Sequence, residues 1–126
     1  METTLFNQLM RLALKTFDDN DFTETGEAMD AGAAWNQAVE EFIGNDDMLA
    51  HHLTTELLFA FNSTSSDLKW SSELMGPASY SSLIKYSLWD NRDLFVGQMV
   101  YSTLDYDEKV ADRKRRAEEN FARLRD

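Results

Sequence analysis

The residues best suited to chemistry are two adjacent histidines, His51 and His52, each with a carboxylate four residues away. Asp47 precedes His51 and Glu56 follows His52 at this spacing, so each pair would share a helix face. A metal centre needs further ligands on the same point, such as Glu-x-x-His pairs on two helices or cysteine thiolates, and the chain has neither. We therefore expect histidines on a helix surface and no metal site.

Other sequence motifs of catalysis are missing as well. The chain contains no phosphate-binding glycine loop, no G-x-S-x-G nucleophile turn and no H-E-x-x-H segment. Glu40 and Glu41 are adjacent, and adjacent helical residues point about 100° apart, so these two carboxylates do not converge as an acid–base pair. We expect a protein that is not an enzyme, with no catalytic residue and no cofactor.

The strongest feature of the sequence is an acidic stretch over residues 16–68, which contains twelve carboxylates and no lysine or arginine. Ordinary surfaces mix both signs, because like charges repel one another in the folded state. The stretch is either a solvated face that confers solubility or a surface that binds something basic. The second interpretation predicts ten partner-binding residues: Asp18, Asp19, Asp21, Glu24, Glu27, Asp30, Glu40, Glu41, Asp46 and Asp47.

Composition limits the class of protein. The net charge is −11 and the isoelectric point is about 4.5, which disfavours direct binding to nucleic acid or to an anionic membrane. The chain has no cysteine, no signal-peptide pattern at its start and no apolar run of the ~20 residues that span a bilayer. We expect a cytoplasmic protein.

Apolar residues recur every three or four positions along most of the chain, which predicts an all-α fold. The predicted helices cover about residues 3–17, 27–43, 47–62 and 77–89, joined by an acidic loop at 18–26 and a serine-rich connection at 62–76. Residues 94–104 fit a helix or a strand, and helix is favoured because no second strand is available. We expect one domain, a compact bundle of four to five helices packed on the third, with a globular core over 1–104.

Residues 105–126 predict a long charged C-terminal helix. The segment has seven acidic and seven basic residues, so the whole net charge lies in residues 1–104. The basic run at 113–116 is flanked by carboxylates, which favours a salt-bridged helix or a contact with the acidic surface of a second copy. Four apolar positions form a thin seam that predicts a possible homodimer contact: Val110, Ala117, Phe121 and Leu124.

Taken together, these features favour a non-enzymatic inhibitor that presents its acidic face to a basic, nucleic-acid-binding protein, as a DNA mimic does. Duplex DNA carries one charge per ~1.7 Å, so ten to twelve carboxylates on one surface would match roughly 20 Å of duplex. In size, composition and charge distribution the chain resembles the small acidic counter-defence proteins of phages and mobile elements, which include restriction and CRISPR inhibitors. No family motif accompanies this resemblance.

Two alternatives use the same residues differently. The chain would be an assembly factor or oligomeric adaptor if its C-terminal helix made the functional contact and its acidity were incidental. It would be an immunity protein or antitoxin if the acidic face masked a basic toxin. Neutralising the acidic loop and Glu40 and Glu41 separates the first alternative from the inhibitor, whereas replacing Phe121 and Leu124 tests the adaptor.

Overall fold

The described parts of the chain fold into helices, and within those parts the helices are joined by short turns and one ordered loop. A computed structural model describes residues 4–62 and 79–125, and within those ranges it contains six helices and no strand. The all-α prediction is confirmed. None of the six combines the length and apolar character that crossing a bilayer requires. The helices are α1 (Thr4–Asp19), α2 (Ala31–Ile43), α3 (Asp47–Asn62), α4 (Tyr80–Asp90), α5 (Arg92–Ser102) and α6 (Tyr106–Arg125).

The helix at the centre of the fold is α2. It packs against α1, α3, α4 and α5, and its inward face is fully buried. Ala34 and Ala38 on this face let neighbouring helices approach closely, while Trp35 fills the space between α4 and α5. The expectation that the third helix is central was wrong, since Leu58 and Phe59 of α3 are largely exposed. The small residues Ala34 and Ala38, together with Trp35, therefore allow α2 to be the central helix.

Two helix ends differ from the predicted ones. The helix α1 continues through Asp19, so Asp18 and Asp19 belong to its last turn and not to the loop. The helix α2 begins at Ala31 instead of residue 27, because Asp30 is its N-cap and accepts a hydrogen bond from the Ala33 N–H at 2.8 Å.

The chain between α4 and α6 is helical, interrupted by a short turn. Residues 94–104 were predicted as helix in preference to strand, and α5 confirms that choice through Ser102. Asp105 then takes a left-handed backbone conformation, with φ of 56°, which separates α5 from α6. The described residues therefore hold six helices where four or five were expected. The connection at 62–76 and the predicted helix start at residue 77 lie outside the described residues, and α4 is described from Tyr80 with Ser79 as its cap.

The start of α1 is held by a buried carboxylate from α3. Glu56 is only 8% exposed and accepts hydrogen bonds from the backbone N–H groups of Leu5 and Phe6, at 3.1 Å each. Such N–H groups have no partner within their own helix, and the positive end of the helix dipole favours an anion. Glu56 therefore joins α3 to α1 and has a structural role.

This contact makes a stability prediction. We expect Glu56→Gln to lower the free energy of unfolding by about 1–2 kcal/mol, because a neutral amide replaces a buried anion that accepts hydrogen bonds at a helix N-terminus. Urea unfolding followed by circular dichroism measures the change. The matched control is Glu118→Gln on the exposed side of α6, which should stay within about 0.5 kcal/mol of the native chain. Equal stability of the two variants would contradict the capping role.

Candidate functional site

The outward side of α2 is polar and carries two of the predicted carboxylates. Asn36, Glu40 and Glu41 are exposed on it, and Gln37 lies between them. The Gln37 side-chain amide donates a hydrogen bond to the Glu41 carboxylate at 3.2 Å. The helix α2 thus buries one side in the core and offers its other side to a partner.

The acidic loop lies beside this side of α2. Glu24 lines an open depression of about 370 Å³ together with Glu40 and Glu41. Asp19 lines a neighbouring depression that shares Gln37 and Glu41 with the first. The sequence alone could not place the loop next to α2, and the structure does. We call Asp19, Glu24, Glu40 and Glu41 the acidic face.

The loop at 20–30 is ordered by its own hydrogen bonds. Phe22 and Ala28 form an antiparallel bridge, and the Thr23 N–H donates to the Glu27 carbonyl at 2.8 Å. Gly26 closes the turn with φ of 85°, a conformation that favours glycine. Glu24 lies inside this closed turn, so the loop's own hydrogen bonds hold its backbone conformation.

Three of the four carboxylates of the acidic face lie where the dipoles of their own helices disfavour negative charge. Asp19 lies in the last turn of α1, and Glu40 and Glu41 lie in the last turn of α2. The C-terminal end of a helix is its negative end, where each added carboxylate costs about 0.3–1 kcal/mol. Neither last turn contains a basic residue that would offset this cost.

Asp21 has a different role from the other loop carboxylates. One of its oxygens forms an ion pair with Arg113 at 3.4 Å, and the other accepts a hydrogen bond from Arg116 at 2.9 Å, which ties the loop to α6. Arg113 is buried, lies over the Phe17 ring at 4.2 Å and donates a hydrogen bond to the Met29 carbonyl. Asp21 therefore has cationic partners within its own chain, which the sequence could not reveal because these arginines are more than ninety positions away.

The remaining predicted carboxylates do not join the acidic face. Asp30 caps α2, Asp46 accepts a hydrogen bond from the Leu49 N–H at the start of α3, and Asp47 accepts one from the Ser81 N–H at the start of α4. Asp18 and Glu27 are exposed but do not line the depressions described above. The ten residues of the prediction thus divide into the acidic face of four, in which Glu40 pairs with Lys85, then Asp21 on the arginines of α6, three at helix starts and two elsewhere on the surface.

The C-terminal helix places its basic run on the acidic loop of its own chain. Arg115 bridges Asp112 and Glu119 along α6, and the hydrogen bond from Arg115 holds the pKa of the Asp112 carboxyl below its usual value. The hydrogen bond to Asp21 likewise raises the pKa of Arg116. This agrees with the predicted salt-bridged helix.

The apolar seam of α6 is only half available. Val110 and Ala117 are buried in this chain, at 8% and 5% exposure, so they are not free for a contact with a second copy. Phe121 lies over Gly26, and Leu124 is 82% exposed. The exposed residues of the predicted dimer contact are therefore those near the end of the helix.

The two histidines are exposed on α3, where His51 meets the Tyr80 ring edge-on at 5.1 Å. Asp47 is engaged by the start of α4 and Glu56 by the start of α1, so both are committed to contacts outside the expected histidine pairs. In the part of the chain that the structure describes, no three histidine or carboxylate side chains are grouped as a metal ion would require.

Comparison of the chain with protein-family models, with curated proteins and with solved structures finds no match. The functional argument therefore depends on the residues and contacts of this chain.

The ion pair at Asp21 can be tested by stability. We expect Asp21→Asn to lower the free energy of unfolding by about 1–2 kcal/mol, because it leaves the buried guanidinium of Arg113 without its carboxylate. Chemical denaturation at low salt measures the loss. Asp19→Asn removes the same charge from an exposed position at the C-terminal end of α1, and it should raise the free energy of unfolding by about 0.3–1 kcal/mol. Equal free energies of unfolding for the two variants would show that the ion pair between the loop and α6 does not stabilise the fold.

Tyr106 also attaches α6 to the rest of the chain, at the start of α2, and its ionisation provides a pH-dependent test of this contact. Its phenol oxygen accepts a hydrogen bond from the Ala31 N–H at 2.9 Å, and burial raises the pKa of Tyr106 above its ordinary value of 10.0. The folded chain holds this proton more tightly than the unfolded chain, so stability is complete below about pH 10 and declines as pH rises through the folded pKa.

We expect Tyr106→Phe to cost about 1 kcal/mol at neutral pH, because it leaves the Ala31 N–H unpaired. The variant should also show a shallower loss of stability in alkali. Denaturant titrations from neutral pH to about pH 11 measure both effects. Tyr101→Phe, at a position that is 94% exposed, should behave as the native chain. An identical alkaline decline in both variants would exclude Tyr106 as its source.

Proposed function

We propose that this chain is a non-enzymatic inhibitor that binds a basic, nucleic-acid-binding protein through the acidic face and acts in the cytoplasm. The observation that carries the proposal is that Asp19, Glu24, Glu40 and Glu41 line adjoining open depressions. The cations that line these depressions and the next one on α4 are Lys15 and Lys85. The basic residues with which a partner normally binds phosphates could bind these carboxylates instead.

The cost of keeping these charges supports a role beyond solubility. Carboxylates on any exposed part of the chain would keep it soluble, yet Asp19 and Glu41 occupy the helix ends where they are least favourable. Positions that break a local rule without a structural gain are typical of functional surfaces. A concentrated negative field also accelerates association with a basic surface and makes the complex sensitive to salt.

The number of carboxylates in the acidic face limits the length of DNA that it could imitate. Four carboxylates equal the charge on about 7 Å of duplex, whereas ten to twelve would match roughly 20 Å. The proposed inhibitor therefore covers one phosphate-binding patch of its partner, such as a restriction or CRISPR component, and does not imitate a long duplex. The adaptor alternative is less favoured, because Val110 and Ala117 of its seam are buried.

The test is capture on immobilised protein from a lysate of the native host, at about 50 mM and about 500 mM salt, with duplex DNA as competitor. We expect nucleic-acid-binding proteins to be retained at low salt and displaced by DNA. The triple variant Asp19→Asn, Glu24→Gln, Glu41→Gln should weaken retention roughly tenfold, because it removes most of the field of the acidic face.

The matched control changes net charge equally but leaves the acidic face intact. Asp107→Asn, Glu108→Gln and Glu118→Gln remove three exposed carboxylates from α6. This control should retain the partner as the native chain does, once circular dichroism has shown that it is folded. If both triple variants weakened retention equally, the effect would come from net charge alone and not from the acidic face. If the captured proteins were displaced by neither salt nor DNA, the proposal would be overturned.

A further inference from the structure

The helix α4 exposes two aromatic residues one turn apart. Tyr86 is 45% exposed and Trp89 is 43% exposed, and both line a depression between α4 and α2. Tyrosine and tryptophan are the residues most enriched among those that contribute strongly to protein–protein binding. We call this depression, lined also by Asn36, Glu40 and Lys85, the aromatic groove.

The aromatic groove continues into the acidic face. Asn36 and Glu40 line both the groove and the depression that holds Glu24. Together the two depressions are lined by Glu24, Glu40, Glu41 and one cation, Lys85, so carboxylates outnumber it three to one. Lys85 contacts Glu40 at 3.3 Å across the groove, which offsets one of the three. The combined surface is negative on one side and aromatic on the other.

The chain itself shows which cation suits such a combination. Arg113 lies over the Phe17 ring and pairs with Asp21, and Arg116 lies over the Phe22 ring at 5.3 Å and pairs with the same carboxylate. A guanidinium is planar, stacks on aromatic rings and meets a carboxylate with two donors, whereas an ammonium is a compact and strongly hydrated charge. Aromatic rings beside carboxylates therefore select arginine over lysine.

Trp89 provides the same evidence inside the groove. The guanidinium of Arg92 lies 4.3 Å from the centre of the Trp89 ring, and the Trp89 side chain still remains 43% exposed. Trp89 thus carries one guanidinium of its own chain and still exposes aromatic surface in the groove that Glu40 also lines.

We propose that the aromatic groove binds an arginine side chain of the basic partner, stacked on Tyr86 and Trp89 and paired with Glu40 in place of Lys85. This inference rests on the proposed function and adds the chemistry of recognition: the partner segment presents arginine in particular. The acidic face attracts the partner, and the aromatic groove distinguishes arginine from lysine.

The experiment compares an arginine homopeptide with a lysine homopeptide of equal length and charge, by fluorescence anisotropy on the full chain. We expect the arginine peptide to bind roughly fivefold more tightly. Tyr86→Ala, and separately Trp89→Leu, should abolish this preference while leaving lysine-peptide binding unchanged. Tyr101→Ala on α5 is the matched control, because it removes an aromatic that is 94% exposed outside the groove, and it should keep the preference.

A second readout locates the peptide. In a nitrogen–proton spectrum, the Trp89 indole signal, assigned by its absence in Trp89→Leu, should shift with the arginine peptide. The Trp35 indole, which is buried and donates to the Leu88 carbonyl at 3.1 Å, should not shift. Tyr86→Ala keeps the test valid if Trp89→Leu proves unstable.

The outcomes separate this inference from the proposed function. Equal, salt-sensitive binding of both peptides, weakened by the acidic-face triple variant, would overturn the arginine groove and leave the acidic face standing. Binding of neither peptide would overturn both. Self-association of the native chain that Tyr86→Ala abolishes would show the groove to be an interface between two copies, and would also overturn the inference.

Discussion

The burial of Trp35 is the interaction on which the rest of the structure depends. Its ring stacks on Phe95 of α5 at 4.8 Å, and its indole N–H donates to the Leu88 carbonyl of α4. A buried tryptophan must bury its large apolar surface and also satisfy one donor, so these contacts fix the rotation of α2 relative to both neighbours. With Trp35 inward, Glu40 and Glu41 must face outward. The neighbour of Leu88, Trp89, is then held on the side of α4 that meets Glu40.

The carboxylates of the acidic stretch divide according to what satisfies them. Asp30, Asp46, Asp47 and Glu56 accept hydrogen bonds from N–H groups at helix starts, and their charge stabilises the fold. Asp21 balances the buried cation of Arg113. Asp19, Glu24 and Glu41 have neither role and lie near one another. Much of the acidity that stands out in the sequence is thus structural, and a smaller part remains for the proposed binding surface.

Local patterns were enough to predict the helices. Three- and four-residue spacing located α1, α2 and α3, and the absence of a strand partner decided residues 94–104 correctly. Helix ends were less accurate, because Thr25 and Asp30 are both good caps and only the closed loop at 20–30 selects Asp30. The outward positions of Glu40 and Glu41 also followed from helical spacing.

Contacts between residues far apart in the chain could not be predicted from local sequence patterns. Glu56 reaches Leu5 across 51 positions and Arg113 reaches Met29 across 84, and nothing local marks either residue as buried. Arg113 stands in a run of four basic residues where each looks equally solvated. Spacing predicted the helix that carries Tyr86 and Trp89, but spacing cannot distinguish an apolar stripe that is buried in the core from one that is left exposed.

The docking of α6 on the loop at 20–30 has a consequence for the order of folding. Helices α1 to α5 pack largely on near neighbours in sequence, whereas the loop is fastened by Tyr106, Arg113 and Arg116, some eighty positions later. Contacts of such long separation form late, because the entropy of closing the intervening chain opposes them. On a ribosome the loop emerges early and waits for α6 to leave the exit tunnel. The placement of Glu24 beside α2 is therefore completed last, when the C-terminal helix of the newly made chain reaches the loop.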